Sequence, residues 1–180
     1  MILIVDMNYK KNSLAFSEFV LSIVSVVSLF HESTVKHYLE VDEKDIESCD
    51  RIILSGTALK DNETLRHVEN FGWIRESEKP VLGICAGMQT IGLVFGCRLK
   101  HSVGIGMKQI RAVRENPLFS LTFRAYELHN YMLDPCEAFD VLAESENGIE
   151  AVKHKKKPMY GVLFHPEVRN REIIERFILM

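Results

Sequence analysis

Residues 79–89 read Lys79-Pro80-Val81-Leu82-Gly83-Ile84-Cys85-Ala86-Gly87-Met88-Gln89. An apolar run ends on Cys85, and a helix-like run, Gly87–Phe95, begins at once. Gly83 and Gly87 stand two residues either side of the cysteine. This is the G-x-nucleophile-x-G pattern, in which a tight strand-to-helix turn lifts a reactive side chain out of a sheet. Side chains on the flanking glycines would collide with neighbouring backbone, and the turn itself can demand a positive φ. A helix starting beside the sulfur favours a thiolate and aims backbone N–H groups at a developing oxyanion. Taken alone, the pentapeptide also fits a buried structural cysteine at a strand end.

The pattern around this turn sets the fold class. Met1–Asp6 reads as a buried strand, Ser13–Val24 as a helix capped by Asn12 or Ser13, and Thr34–Leu39 as a strand. Asp42–Ser48 is a short helix, Asp50–Ser55 a strand, Asn62–Glu78 an amphipathic helix and Val81–Cys85 a strand. This β-α-β alternation predicts an α/β fold: a doubly wound, mostly parallel sheet with helices on both faces. After residue 97 the pattern changes to short strands at Arg98–Lys100, Lys108–Arg114, Phe123–His129, Phe139–Ser145, Ile149–His154 and Met159–Phe164. These predict antiparallel pairing in the second half, with Gly104-Ile105-Gly106 as a turn. A final helix, Asn170–Leu179, follows. With no repeat, linker or low-complexity segment, residues 1–180 are expected to form one domain.

Composition narrows the function. The chain is 47% hydrophobic and 26% charged with a formal net charge of −3, a balance that gives no electrostatic case for nucleic acid. The basic run Lys153-His154-Lys155-Lys156-Lys157 precedes Pro158 and reads as a solvated hairpin turn. The start, MILIVDMNYKK, has no cationic region ahead of its apolar residues and so does not read as a leader. Phe16–Phe30 carries Glu18 and four serines, too short and polar to span a bilayer. Cys49, Cys85, Cys97 and Cys136 are widely spaced with no CxxC pair. That spacing argues against a zinc site or disulfide framework and fits a reducing cytoplasm. No metal, flavin or nucleotide signature is present, so no cofactor is expected.

A cysteine nucleophile needs a base, and the base an orienting partner. Tyr160-Gly161-Val162-Leu163-Phe164-His165-Pro166-Glu167-Val168 supplies both on one apolar strand end. In extended chain, residues i and i+2 project to the same side, so His165 and Glu167 can reach one site. His165 would take the thiol proton, and Glu167 would fix its tautomer and stabilise the imidazolium. Alone, His165 also fits a half-buried structural histidine.

Together, GICAGMQ (83–89) and FHPE (164–167) resemble the class I, triad-type glutamine amidotransferases, whose fold is flavodoxin-like. The family's S-G-G-P loop is matched by Ser55-Gly56-Thr57-Ala58. The resemblance implies a catalytic triad of Cys85, His165 and Glu167, and a γ-glutamyl thioester on Cys85 that water hydrolyses to glutamate after ammonia leaves. It implies an oxyanion hole from the backbone amides of Thr57 and Ala86, and L-glutamine held near Gly56, Gln89, Asn130 and Tyr131. Two departures stand out. Thr57 replaces a glycine, and a positive φ there would strain its β-branch. In that case the loop takes another path, or the hole forms only when a partner docks. Asp6-Met7-Asn8-Tyr9 also lacks the glycine-rich turn of many relatives.

The chain carries an amidotransferase and no synthase, which implies a separate ammonia-accepting synthase subunit. Ile149–His154 leading into Pro158–Val162 resembles the glutaminase subunit of archaeal two-chain GMP synthases. Other readings stay open: a subunit of an anthranilate or aminodeoxychorismate-type synthase, a stand-alone γ-glutamyl hydrolase, or a non-catalytic regulatory subunit. Turnover of γ-glutamyl compounds by the chain alone separates the hydrolase. Failure of a glutamine analogue to label Cys85 separates the regulatory subunit.

Overall fold

Strand β1 (Ile2–Asp6) alternates its side chains between two buried layers. Ile2 and Ile4 enter one hydrophobic cluster, Leu3 and Val5 another. The same split recurs along β3 (Arg51–Leu54) and β4 (Val81–Ile84), where Ile53, Leu82 and Ile84 join the first cluster and Ile52, Leu54 and Val81 the second. A strand apolar on both faces needs cover on both, and period-2 alternation assigns each side chain its layer. The first layer is covered by α1 (Leu21–Val27) and α6 (Glu172–Leu179), through residues such as Ile23, Val27, Ile174 and Phe177. The second is covered by α5 (Ala86–Val94), through Met88, Ile91 and Val94, and by Phe71 and Ile74.

The computed structural model describes residues 1–180. It holds one nine-stranded sheet in the order β2-β1-β3-β4-β9-β8-β7-β5-β6. Here β2 is Ser33–His37, β5 Arg98–Ala112, β6 Thr122–Asp134, β7 Phe139–Ser145, β8 Gly148–His154 and β9 Met159–Val162. The pairings from β2 to β9 are parallel, and those from β9 to β6 are antiparallel. The expected doubly wound α/β core with an antiparallel second half is therefore the observed architecture. No helix is long and apolar enough to cross a membrane.

Several local expectations change. The helix expected over Ser13–Val24 begins as a π turn at Phe16–Val20 before α1, and Asn12 sits at φ 57°. The long helix over Asn62–Glu78 is broken into α3 (Glu63–Arg66), a 3-10 turn (Val68–Phe71) and α4 (Trp73–Glu76). His67, at φ −121° and ψ 46°, leaves the helical region and forces the first break. The two short strands at Arg98–Lys100 and Lys108–Arg114 are one strand, β5, running through Gly104-Ile105-Gly106; the glycines accompany a register shift between His101 and Gly104 rather than a turn. The short helix α2 (Glu43–Ser48) forms as read, with a reciprocal capping box between Asp42 and Asp45.

The cysteine expectation is corrected more sharply. Cys97 and Cys136 form a disulfide across a separation of 39 residues. Cys97 follows α5, and Cys136 follows β6. Sheet closure brings the two together, which no local spacing rule can register. Cys49 and Cys85 remain free and buried.

The turn between β4 and α5 has almost no steric tolerance. A Cβ on Gly83 would lie 2.5 Å from the carbonyl carbon of Gly87 and 2.6 Å from the nitrogen of Met88. One on Gly87 would lie 2.5 Å from the Leu54 carbonyl oxygen. The obstacles are main chain and cannot rotate away. Gly83→Ala is therefore expected to cost about 3 kcal/mol or more, the upper range for overpacking. Denaturant unfolding measures this, and a midpoint equal to that of the wild type would show that the turn has room to relax.

Candidate active site

Cys85 ends β4 and opens α5 at φ 48° and ψ −102°. For a residue with a Cβ this is a strained conformation, and such strain persists only where the surroundings over-determine it. Gly83 and Gly87 supply that constraint by letting β4, α5 and β3 meet backbone to backbone. The positive φ thus belongs to the cysteine itself, and the glycines serve close approach. The Cys85 N–H donates to the Val162 carbonyl at 2.8 Å, which fastens the turn to β9.

The chain leaving β9 delivers His165 and Glu167. Nδ1 of His165 lies 2.7 Å from Oε1 of Glu167, and both side chains are fully buried. A carboxylate accepting at Nδ1 fixes the tautomer that leaves Nε2 for chemistry. Burial alone would lower the His165 pKa; the Glu167 carboxylate and the Cys85 sulfur outweigh it and hold the imidazole well above its ordinary value. Phe19, from the π turn, packs on the imidazole with centroids 5.2 Å apart. On another side lies Gly56, where a Cβ would fall 2.5 Å from His165 Cε1 and 3.5 Å from Cys85 Cβ. Gly56, expected near substrate, thus also makes room for the imidazole beside the cysteine.

The Cys85 thiol donates to the Leu128 carbonyl at 3.5 Å, while Nε2 of His165 has no hydrogen-bond partner. The sulfur nevertheless lies close enough to raise the imidazole both as a charge and as a side-chain hydrogen-bond partner.

Thr57 is buried, and it is absent from the positive-φ residues, which are Asn12, Cys85, Leu121 and Asn170 apart from glycines. The loop has taken a path that a β-branched residue accepts. Its hydroxyl donates to the Asp61 carbonyl at 2.9 Å, and the Asp61 carboxylate accepts from the Tyr9 N–H at 2.7 Å. Asp61 therefore ties the loop after β3 to the loop after β1. In that second loop Asp6 accepts from both the backbone and side-chain nitrogens of Asn8, and the Met7 N–H donates to Ser55 Oγ. Side-chain hydrogen bonds hold a turn that many relatives build from glycine. The N–H groups of Thr57 and Ala86 donate to no protein acceptor. Two free donors beside a cysteine at a helix start have the character of an oxyanion hole.

Strand β6 forms the remaining wall. Gln89 donates to the Tyr131 carbonyl at 2.6 Å, and Asn130 donates to the Leu59 carbonyl at 2.6 Å. Both amides are thus committed to holding β6 against α5 and against the loop after β3. The Tyr131 ring meets His101 edge-on at 5.8 Å. Sequence reading missed Leu128, Tyr126 (whose carbonyl accepts from the His165 N–H at 2.8 Å), Phe19 and Asp61. The first two act through main-chain carbonyls, which carry no residue signature.

Comparison with known proteins fits this geometry. The family model for class-I glutamine amidotransferases matches residues 15–178. A glutamine-hydrolyzing GMP synthase subunit of Saccharolobus solfataricus is 31% identical over 137 residues, covering 72% of this chain and 73% of the relative. Anthranilate synthase component 2 of the same organism is 30% identical over 144 residues, covering 71% and 73%. A crystal structure described as a GMP synthase subunit from Thermoplasma acidophilum superposes with a TM-score of 0.85 at 24% identity, covering 99% of this chain and 92% of that one; it supports the fold. The chain belongs to the class-I glutamine amidotransferase family.

Proposed function

We propose that this chain is the glutaminase subunit of a two-chain GMP synthase, releasing ammonia from L-glutamine for a separate synthase subunit. The observation that carries the chemistry is the buried His165–Glu167 pair beside a cysteine held at φ 48°. The GMP synthase relative from Saccharolobus solfataricus supports the partner assignment. The anthranilate synthase component, almost as similar, keeps a second aminating partner in play. The two readings share every step on this chain and differ only in who takes the ammonia.

In this reading the Cys85 thiol rotates from Leu128 towards His165 and passes its proton to Nε2. The thiolate attacks the side-chain carbonyl carbon of glutamine, and the oxygen takes up the electron pair opposite the Thr57 and Ala86 N–H groups. The C–N bond breaks as the imidazolium returns its proton to the departing nitrogen, which leaves as ammonia. Water, deprotonated by His165, attacks the thioester carbon. The C–S bond then breaks, the proton returns to sulfur, and glutamate leaves. Glu167 remains an anion throughout and stabilises each imidazolium. Gln89, Asn130 and Tyr131 set the wall against which glutamine lies.

For the chain reconstituted with its synthase, Cys85→Ala is expected to abolish glutamine-dependent product and leave synthesis from added ammonia intact. Surviving glutamine-dependent product would remove Cys85 from the reaction. Glu167→Gln is expected to reduce glutamine turnover roughly 100-fold or more, the scale of a misassigned base. The pH dependence has a defined sign. His165 has its folded pKa raised, so its contribution to stability is full below about pH 6.5, the unfolded value, and is lost as pH rises through the higher folded value. Unfolding of wild type and Glu167→Gln across pH 6–9 tests this. The wild type's advantage should shrink towards alkaline pH, and an advantage that grew instead would reverse the assignment. Assaying glutamine-dependent product with the synthase chain of each pathway, GMP and anthranilate, separates the two readings.

A further inference from the structure

Behind the wall that faces Cys85, strand β6 carries two more polar side chains, Glu127 and His129, both buried. Glu150 of β8 is buried beside Glu127. The glutamine chemistry at Cys85 uses none of the three side chains. Their atoms are poorly partnered: both oxygens of Glu127, Oε2 of Glu150 and Nε2 of His129 have no hydrogen-bond partner. They do not form a metal-holding set. Orphaned polar atoms in such a place need an explanation, because each unpaired group costs free energy.

Protons between them supply it. His129 Nδ1 lies 3.0 Å from the Ser102 carbonyl, which can only accept, so Nδ1 carries hydrogen. Nε2 then faces Oε2 of Glu127 at 3.4 Å, and two bare acceptors would repel. A proton must lie on that axis. Glu150 also faces Glu127 closely enough to hydrogen-bond once either is protonated, and Ser145 donates to the other Glu150 oxygen at 2.7 Å. A second proton belongs there. Fully deprotonated, two carboxylates and an imidazole carry charge −2; two protons bring the buried cluster to zero. Gly104 makes the space, since a Cβ there would lie 2.3 Å from both Glu127 Oε2 and His129 Nε2. Lys108 faces the cluster from β5, but its ammonium is bound to Glu146 at 2.7 Å.

The cluster's position gives it a use. Glu127 and His129 flank Leu128, whose carbonyl accepts the Cys85 thiol. The Glu150 carbonyl accepts from the Leu163 N–H at 2.7 Å, just before His165. We propose that Glu127, Glu150 and His129 form a charge-neutral, two-proton network that positions strand β6 and the Leu128 carbonyl for the nucleophile, an inference that rests on Cys85 being that nucleophile. They are positioning residues and touch no substrate.

Burial and the neighbouring Glu127 carboxylate push the Glu150 pKa up to about 8, against 4.5 for a free glutamate. Raised in the folded state, Glu150 favours folding fully below about pH 4.5, and this contribution is lost as pH rises to about 8. Glu150→Gln keeps the hydrogen-bond donor and removes the titration. Its unfolding temperature should match the wild type near pH 4.5 and exceed it by roughly 5 °C or more at pH 8. A buried, ionised carboxylate would give the opposite trend. Iodoacetamide labelling of Cys85 at pH 7, located by peptide mass spectrometry, reads the positioning. Glu150→Gln should label within about twofold of wild type and Glu150→Ala roughly tenfold more slowly, the scale of 1.4 kcal/mol; Glu150→Asp stands in if the alanine variant does not fold. An E150Q variant with the wild-type pH trend, or wild-type labelling in E150A and E150D, overturns the proposal. Iodoacetamide needs no glutamine site, so both measurements report even if the chain proves to have no glutaminase activity.

Discussion

The close approach of α5 to β3 is the constraint on which the site depends. The Cα of Gly87 sits where any side chain would strike the Leu54 carbonyl, and Gly83 sits equally close to the first turn of the same helix. With the helix pressed this near the sheet, the connection between β4 and α5 has no residue to spare. Cys85 must absorb the whole change of direction, and it does so at φ 48°. Strain of this kind costs on the order of 1–3 kcal/mol. It is sustained by the apolar packing of Met88, Ile91 and Val94 on one face and of Leu82 and Ile84 on the other. The consequence is positional: the sulfur leaves the sheet at the one point where a helix start, the loop after β3 and the end of β9 converge.

The second dependence is electrostatic. Removing an imidazole and a carboxylate from water is unfavourable unless each finds the other in good geometry. His165 and Glu167 manage this across a turn rather than in the extended chain their spacing predicts: Pro166 opens the turn, and the Val168 and Arg169 N–H groups close it on the His165 carbonyl. The desolvation that would neutralise an isolated histidine is offset by the carboxylate at 2.7 Å and by the sulfur nearby. The pair is therefore poised to be charged without solvent help. A base in a dry site needs that property if it is to accept a thiol proton.

Much of this is legible from sequence, and the misses share a cause. Strands β1, β3, β4 and β7, helix α2 and the three residues Cys85, His165 and Glu167 follow from patterns that span a few residues. The order of strands is not legible in the same way, because the alternation of elements does not show that β9 returns beside β4 or that β5 lies between β7 and β6. What escapes depends on partners far along the chain. The 39-residue span from Cys97 to Cys136 closes only when β6 folds back beside α5. The helix over 62–78 breaks at His67, which hydrogen-bonds Glu63 and Glu69 on either side and leaves the helical region, although its side-chain pattern continues. Leu128 and Tyr126 serve through carbonyls that any residue could supply. Thr57 reads as a strain point because its motif position favours glycine, yet a different hydrogen-bond partner, Asp61, gives the loop a path without a positive φ.

That last difference bears on how the site changes state. The loop after β3 is fixed at several points: by Ser55 on Met7, by Thr57 on Asp61, by Asp61 on Tyr9 and by Asn130 on Leu59. Moving it would break most of these at once, each worth roughly 1 kcal/mol. By contrast, the thiol is held to Leu128 by one long, weak sulfur hydrogen bond of 3.5 Å, and Nε2 of His165 stands empty. The cheaper transition is therefore rotation of a single side chain. Whatever a docked partner or bound glutamine contributes to activation, it has less to remodel in the backbone than in the direction of one S–H bond. The wall that sets this direction is β6, and β6 is gripped from behind by the Glu127–His129–Glu150 cluster. The strained turn places the sulfur, and the strand opposite determines where it points.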